Sequence, residues 1–102
     1  MDDKEILREI DRCIHMEAEA VRRLSELRNK ESLLRTVRAI FDCRGKVILS
    51  GCGTSAMAAK KIQHSLNCVE RPALFLTPSD AVHGGLGVLQ KEDILILISK
   101  GG

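Results

Sequence analysis

The run Ile94-Leu95-Ile96-Leu97-Ile98 is the strongest strand signal in this chain, and it is one of three. Val47-Ile48-Leu49 is a shorter continuous apolar run that Gly51 and Gly53 end at once, and Pro72 introduces a further run, Ala73-Leu74-Phe75-Leu76. Continuous rather than alternating apolar residues mark strands covered on both faces, as in a parallel sheet. Between the first two runs, Ala58, Ile62 and Leu66 lie four apart from Thr54 onward, which predicts a crossover helix. Between the second and third, Thr77-Pro78-Ser79-Asp80 has the order of a helix start: a capping hydroxyl, proline at the first helical position and an acid at the positive end. Gly84, Gly85 and Gly87 then keep that helix brief. Strand, helix, strand, helical turn and strand with right-handed crossovers predict a three-layer α/β/α unit over residues 45–102.

Residues 1–44 read differently. Ile6, Ile10, Ile14, Val21 and Leu24 fall on one stripe of a helix expected from Asp2 to about Asn29, started by a capping box of Asp2 and Glu5. Leu33, Leu34, Val37, Ile40 and Phe41 share a face of a second helix, expected over residues 31–43. Together they predict an N-terminal helical hairpin, serving as a covering layer for the sheet or as a dimer interface. The whole is expected to be one domain, with residues 1–44 as its helical lead.

Composition narrows the function. Sixteen basic and fourteen acidic residues leave a net charge of +2, and residues 1–44 hold ten of each sign, so no one-signed surface invites nucleic acid. Phe41 and Phe75 are the whole aromatic complement, which removes stacking platforms and leaves hydrogen bonds to hold a polar ligand. Cys13, Cys43, Cys52 and Cys68 contain no C-x-x-C pair, and with three scattered histidines they predict no metal site and reduced, mostly buried thiols. The charged start and the lack of a long apolar run predict neither a signal peptide nor a membrane span, and a cytoplasmic location.

Ligands of open α/β sheets collect at the carboxyl ends of the strands, where strand order reverses. Ser50-Gly51-Cys52-Gly53-Thr54-Ser55 follows the first strand: Gly51 and Gly53 let the backbone approach an anion, Thr54 and Ser55 carry hydroxyls, and the next helix presents its free amides. From this loop alone, a plain glycine turn with Thr54 or Ser55 capping the helix is an equally good reading. Neither the nucleotide P-loop spacing nor a full dinucleotide fingerprint is present, so no cofactor is expected. Ser99, Lys100 and Gly101 follow the third strand with a hydroxyl, a cation and flexible backbone, enough to double the contacts to one phosphate; taken alone, a plain loop with Lys100 simply solvated is the better reading, and the pairing with the first loop shifts the balance. His83, in Ala81-Val82-His83-Gly84-Gly85, has the chemistry to move protons near a sugar, or merely to bond its own loop. Asp80, Glu92 and Asp93 read as helix-end and strand-edge charges.

The segment from Gly45 to Ser55 resembles the opening strand and phosphate loop of the sugar isomerase (SIS) domain family. Pro78-Ser79-Asp80-Ala81-Val82-His83-Gly84-Gly85-Leu86-Gly87 is similar to the P-x-[ED]-A-x-H-G-D-L-G stretch of arabinose-5-phosphate isomerases, and Asp93 to Ser99 resembles the strand before their second phosphate loop. The resemblance covers residues 40–102 and implies an incomplete, parallel flavodoxin-like sheet. It also implies Thr54, Ser55 and Ser99 as phosphate donors and His83 as the histidine near the sugar. Departures are present: those isomerases carry Lys at the position of Thr54 and Asp at that of Gly85, and their S-x-S-G-E second loop is here Ser99-Lys100-Gly101-Gly102. The Cys-Gly-Thr-Ser run is instead like the isomerase domain of glucosamine-6-phosphate synthase. The resemblance implies an aldose–ketose isomerase working through an enediol, with a carboxylate base that follows the second loop and so lies beyond Gly102. Little turnover is then expected of these 102 residues alone. A homo-oligomer, dimer or tetramer, is expected. The alternative is a regulatory SIS module that senses a sugar phosphate without catalysis.

Overall fold

The computed structural model describes residues 1–26 and 29–102, which fall into two compact units, Met1–Leu34 and Arg35–Gly102. The first unit is dominated by helix α1 (Asp3–Arg23). Its start is the expected capping box: the Glu5 amide donates to Asp2 Oδ1 and the Asp2 amide to Glu5 Oε2, each at 2.8 Å. The α-helix stops short of the expected end, at Arg23, and a single 3-10 turn follows at Leu24–Glu26. There Ser25 Oγ donates to the Arg22 carbonyl at 2.8 Å, competing with the amide that would continue the helix. The remainder of the expected extension, Leu27 and Arg28, lies outside the described residues. Helix α2 (Lys30–Asp42) begins in this unit, capped by Asn29, whose Oδ1 accepts the Ser32 amide at 2.9 Å.

The second unit holds the α/β fold. Strands β1 (Val47–Gly51), β2 (Ala73–Phe75) and β3 (Ile94–Ile98) form a parallel sheet in the order β2-β1-β3. Helix α3 (Thr54–Cys68) crosses from β1 to β2, and the single turn α4 (Pro78–Ala81) with the 3-10 turn Gly85–Val88 crosses from β2 to β3. This is the opening 2-1-3 order of a flavodoxin-like sheet, whose reversal point lies between β1 and β3.

The middle strand is the core. Val47, Ile48 and Leu49 are fully buried, and Val47 and Leu49 meet Ala59 of α3 and Cys43 after α2, with Ile40, Leu66, Phe75 and Ile96 packed around them. Ala56 and Ala59 are the buried residues of α3, and their small side chains let the helix backbone come close to the sheet. The outer strands depart from the expectation of burial on both faces. They alternate, with Leu74, Leu95 and Leu97 exposed on the face opposite α3, the side on which the short α4 turn and the 3-10 turn after it lie.

Two loop structures lock the frame. Arg71 donates to the carbonyls of Cys43 (Nη1, 2.9 Å) and Phe41 (Nη2, 2.8 Å), satisfying orphan acceptors at the end of α2. Asn67 pairs with both backbone groups of Ala73, at 2.8 and 3.1 Å, and so sets where β2 begins. The Gln63 side chain accepts the Phe75 amide on the open edge of the same strand. Three of the four cysteines overturn the expectation of buried thiols: Cys13, Cys52 and Cys68 are exposed, and Cys43 alone is buried. Cys13 and Cys68 belong to helix surfaces and Cys52 to a loop, positions that periodicity of the strands does not reveal.

Candidate functional site

The carboxyl ends of β1 and β3 stop level with one another, Gly51 pairing with Ile98. Gly51 sits in a space that no larger residue fits: a Cβ there would lie 2.9 Å from the Ile98 carbonyl oxygen and 3.2 Å from Ser55. One glycine therefore touches both the first turn of α3 and the residue that leads into Ser99. The two loops named from sequence meet at this point.

Helix α3 begins without a side-chain cap. Its N-cap is Gly53, at φ 57° and ψ −128°, a conformation that side chains rarely adopt. The expected alternative, in which Thr54 or Ser55 caps the helix, is not realised; Thr54 is already its first residue. The Cys52 carbonyl accepts the amides of Ser55 and Ala56, and the Gly53 carbonyl those of Ala56 and Met57. The amides of Gly53 and Thr54 have no backbone acceptor among the described residues. Two amides, the positive end of a fifteen-residue helix and the hydroxyls of exposed Thr54 and half-buried Ser55 thus cluster in one place.

Across Gly51, Ser99 Oγ accepts the Gly102 amide at 3.1 Å, which curls Ser99-Lys100-Gly101-Gly102 into a turn with Gly102 at φ 86°. Lys100 is exposed in that turn. Anion chemistry fits this collection of donors and one ammonium group, and no carboxylate belongs to either loop.

His83 lies one residue beyond the C-cap of α4, its amide donating to the Asp80 carbonyl at 3.1 Å and its ring exposed. The turn holding it is started as expected, with the Asp80 amide donating to Thr77 Oγ1 at 3.1 Å. Gly84 then takes φ 103°, and a Cβ on Gly85 would come within 2.6 Å of the Asp80 carbonyl oxygen. The glycine at position 85 is thus demanded by this turn as it is built here.

Beside the loops, on the sheet face opposite α3, lies a hollow of about 280 Å³ lined by Ser50, Gly51, Leu76, Val82, Leu86 and Leu97, among others. Its wall is apolar, and of the residues named from sequence only Gly51 reaches it; His83, Thr54, Ser55, Ser99 and Lys100 do not line it. Sequence reasoning missed this hollow because it is made by Leu76, Leu86 and Leu97 coming together from separate elements.

Among the described residues, no three His, Cys, Asp or Glu side chains converge to hold a metal ion, and no helix is long and apolar enough to cross a membrane.

Known proteins resemble this chain in sequence and fold. The chain is 38% identical over 87 residues to arabinose 5-phosphate isomerase GutQ of Salmonella typhi, which covers 85% of this chain and 27% of that protein. It is 33% identical over 100 residues to arabinose 5-phosphate isomerase KpsF of Escherichia coli O6:H1, covering 98% and 31% of the two chains. Among solved structures, a Listeria monocytogenes protein assigned as a sugar-phosphate isomerase superposes with a TM-score of 0.96 at 62% identity, over all of this chain and 53% of that one. The c3406 protein of E. coli CFT073, solved in complex with arabinose 5-phosphate, superposes with a TM-score of 0.88 at 30% identity, over 97% and 52%. The chain thus spans under a third of the curated relatives and about half of the solved structures. Residues 39–102 match the SIS domain family, and the chain belongs to it.

Proposed function

We propose that this chain is the phosphate-binding part of a sugar-phosphate isomerase, with arabinose 5-phosphate, the sugar named in its relatives, as the first candidate ligand. The observation that carries the reading is Gly51, in contact with both loop ends, so that one phosphate group has donors on two sides. Gly53, Thr54 and Ser55 supply amides and hydroxyls from the start of α3, and Ser99, Lys100 and Gly101 supply a hydroxyl, a cation and backbone from the other side. A dianion held this way fixes one end of the sugar and leaves its carbonyl end free for chemistry. His83 is assigned to the sugar end, where its imidazole assists ring opening. The base that moves the proton between carbons is assigned outside residues 1–102. Asp93 is not that base, because its carboxylate is engaged with Lys46 before β1 and β3, at the other end of the strands.

The test is a titration of the isotope-labelled chain with arabinose 5-phosphate, arabinose and inorganic phosphate, followed by amide NMR. Shifts confined to Gly53–Ser55 and Ser99–Gly102, given by both phosphate-bearing compounds and not by arabinose, are expected. Silence at both loops, or shifts at one loop only, would overturn the proposal. Binding by a longer form of the protein without interconversion of the sugar would assign the sensing role instead of the catalytic one.

A further inference from the structure

Helix α3 carries a pair of metal-ligating side chains at the end away from the phosphate loops. His64 and Cys68 lie four residues apart in its last turns, both exposed, with Cys68 Sγ 3.5 Å from His64 Nε2. A step of four on a helix brings two side chains together on one face. The spacing H-x-x-x-C becomes a pair only on a helix, so a search of the chain for C-x-x-C passes over it. Among the described residues, Cys68 is the one exposed thiol within hydrogen-bonding distance of an imidazole.

We infer that His64 and Cys68 form a two-ligand clip for a borderline or soft d10 cation, zinc first. The separation fits. A tetrahedral zinc with Zn–S of about 2.3 Å and Zn–N of about 2.0–2.1 Å holds its sulfur and nitrogen about 3.5–3.6 Å apart, so the ion takes the place of the shared proton with the sulfur-to-nitrogen distance unchanged. The surroundings favour a cation. Cys68 is the last residue of α3, where free carbonyls give the helix its negative end. The two lysines in the turn before His64 are turned to other partners: Lys61 Nζ donates to Ser65 Oγ at 3.1 Å, and Lys60 Nζ lies 5.1 Å from the centroid of the Phe75 ring. Thiolate with imidazole suits zinc or copper(I), whereas magnesium and calcium take oxygen ligands. Two protein ligands leave the other positions to water, so the ion exchanges with solution instead of being a permanent part of the fold. The clip spans the turn that carries Asn67, whose side chain pairs with both backbone groups of Ala73. A bridged turn therefore holds the start of β2 more firmly, and binding to the folded chain stabilises it by linkage.

Alkylation by iodoacetamide, read site by site by peptide mass mapping on the purified chain, tests this, with exposed Cys13 and Cys52 as internal references. Zinc is expected to slow alkylation of Cys68 about tenfold and to leave the references unchanged, because a metal-bound thiolate is no longer a free nucleophile; magnesium is expected to change none of the three. His64→Gln, at an exposed position and checked for helix content by circular dichroism, is expected to abolish most of the protection. In NMR spectra of the parent, zinc is expected to shift the ring nitrogens of His64, to leave those of His15 in place, and to slow amide exchange over residues 67–70. Equal protection of all three thiols, protection that survives His64→Gln, or a His64 ring that zinc does not move each overturns the inference. Phosphate plays no part in these readouts, so this inference and the proposed function stand or fall separately.

Discussion

Lys46 Nζ lies 2.6 Å from Asp93 Oδ2, joining the residues that immediately precede β1 and β3. The same carboxylate accepts the Lys46 amide at 2.9 Å and the Gln90 amide at 2.7 Å, and its side chain is only 2% exposed. Because the strands are parallel and Val47 pairs with Ile94, this clamp fixes the register that brings Gly51 level with Ile98 at the far end of the two strands. The start of the sheet thereby sets the alignment of the loops at its other end.

The clamp makes stability pH-dependent with a definite sign. The Lys46 side chain, followed by the Lys46 amide, holds the Asp93 carboxyl down at about 2, below its ordinary 3.8. A carboxylate with a depressed pKa contributes stability that is fully present above 3.8 and is lost as pH falls toward 2. Urea midpoints of the parent and of Asp93→Asn should therefore differ most at about pH 6–7 and converge between about pH 4 and 2. A gap that stays constant across that window would mean the ion pair contributes nothing.

Gly51 and Gly53 resist substitution for different reasons, which separates their variants. Gly51→Ala drives a methyl group against the Ile98 carbonyl and Ser55, parting the two loops, with a cost of about 1–3 kcal/mol and weakened phosphate binding expected. Gly53→Ala meets no atom within 4 Å, and its cost of about 1–3 kcal/mol comes from the backbone angle at φ 57°. Amide spectra should tell them apart: Gly51→Ala moves resonances in both β3 and α3, whereas Gly53→Ala moves those of its own loop. Identical maps would refute the separate causes.

Arg71→Met should keep most of the side-chain packing and remove both hydrogen bonds to the end of α2. With the Phe41 and Cys43 carbonyls left to water or to nothing, a loss of about 1–3 kcal/mol is expected. Faster amide exchange in the last turn of α2, with β1 unaffected, is the expected local signature. No change in exchange at Ile40–Cys43 would show that the guanidinium contacts carry no weight.

Much of this architecture was legible in the chain because its signals are local. Asp2 with Glu5, Thr77 with Pro78, and the apolar runs at Val47, Ala73 and Ile94 each state their element within a few residues. The two loops proposed to hold a phosphate could be named for the same reason: glycines and hydroxyls follow directly on strands. What escaped depends on distance in sequence. Lys46 and Asp93 become a pair only once β1 and β3 are neighbours, although both precede an apolar run by one residue, which was the available signal. The exposed side of Leu95 and Leu97 escaped because a continuous apolar run does not tell which face is covered. The early end of α1 turned on a single hydroxyl, Ser25, bonding backward.

Glu70 offers a stabilising change. It takes φ 60° at the end of α3, the only described non-glycine residue in the left-handed region. Its amide donates to the Asn67 carbonyl and that of Arg71 to the Leu66 carbonyl, the pair of bonds that ends many helices on a left-handed residue, usually glycine. Glu70 is exposed, so its side chain offers no burial in return for the strain between its Cβ and the backbone. Glu70→Gly removes that strain while adding freedom to the unfolded chain, and a net gain of about 0.5–1 kcal/mol is expected. The same bonds lead into Arg71 and β2, so the gain should appear as a raised urea midpoint with an unchanged slope. A lowered midpoint would show that the Glu70 side chain makes a contribution outweighing its backbone strain.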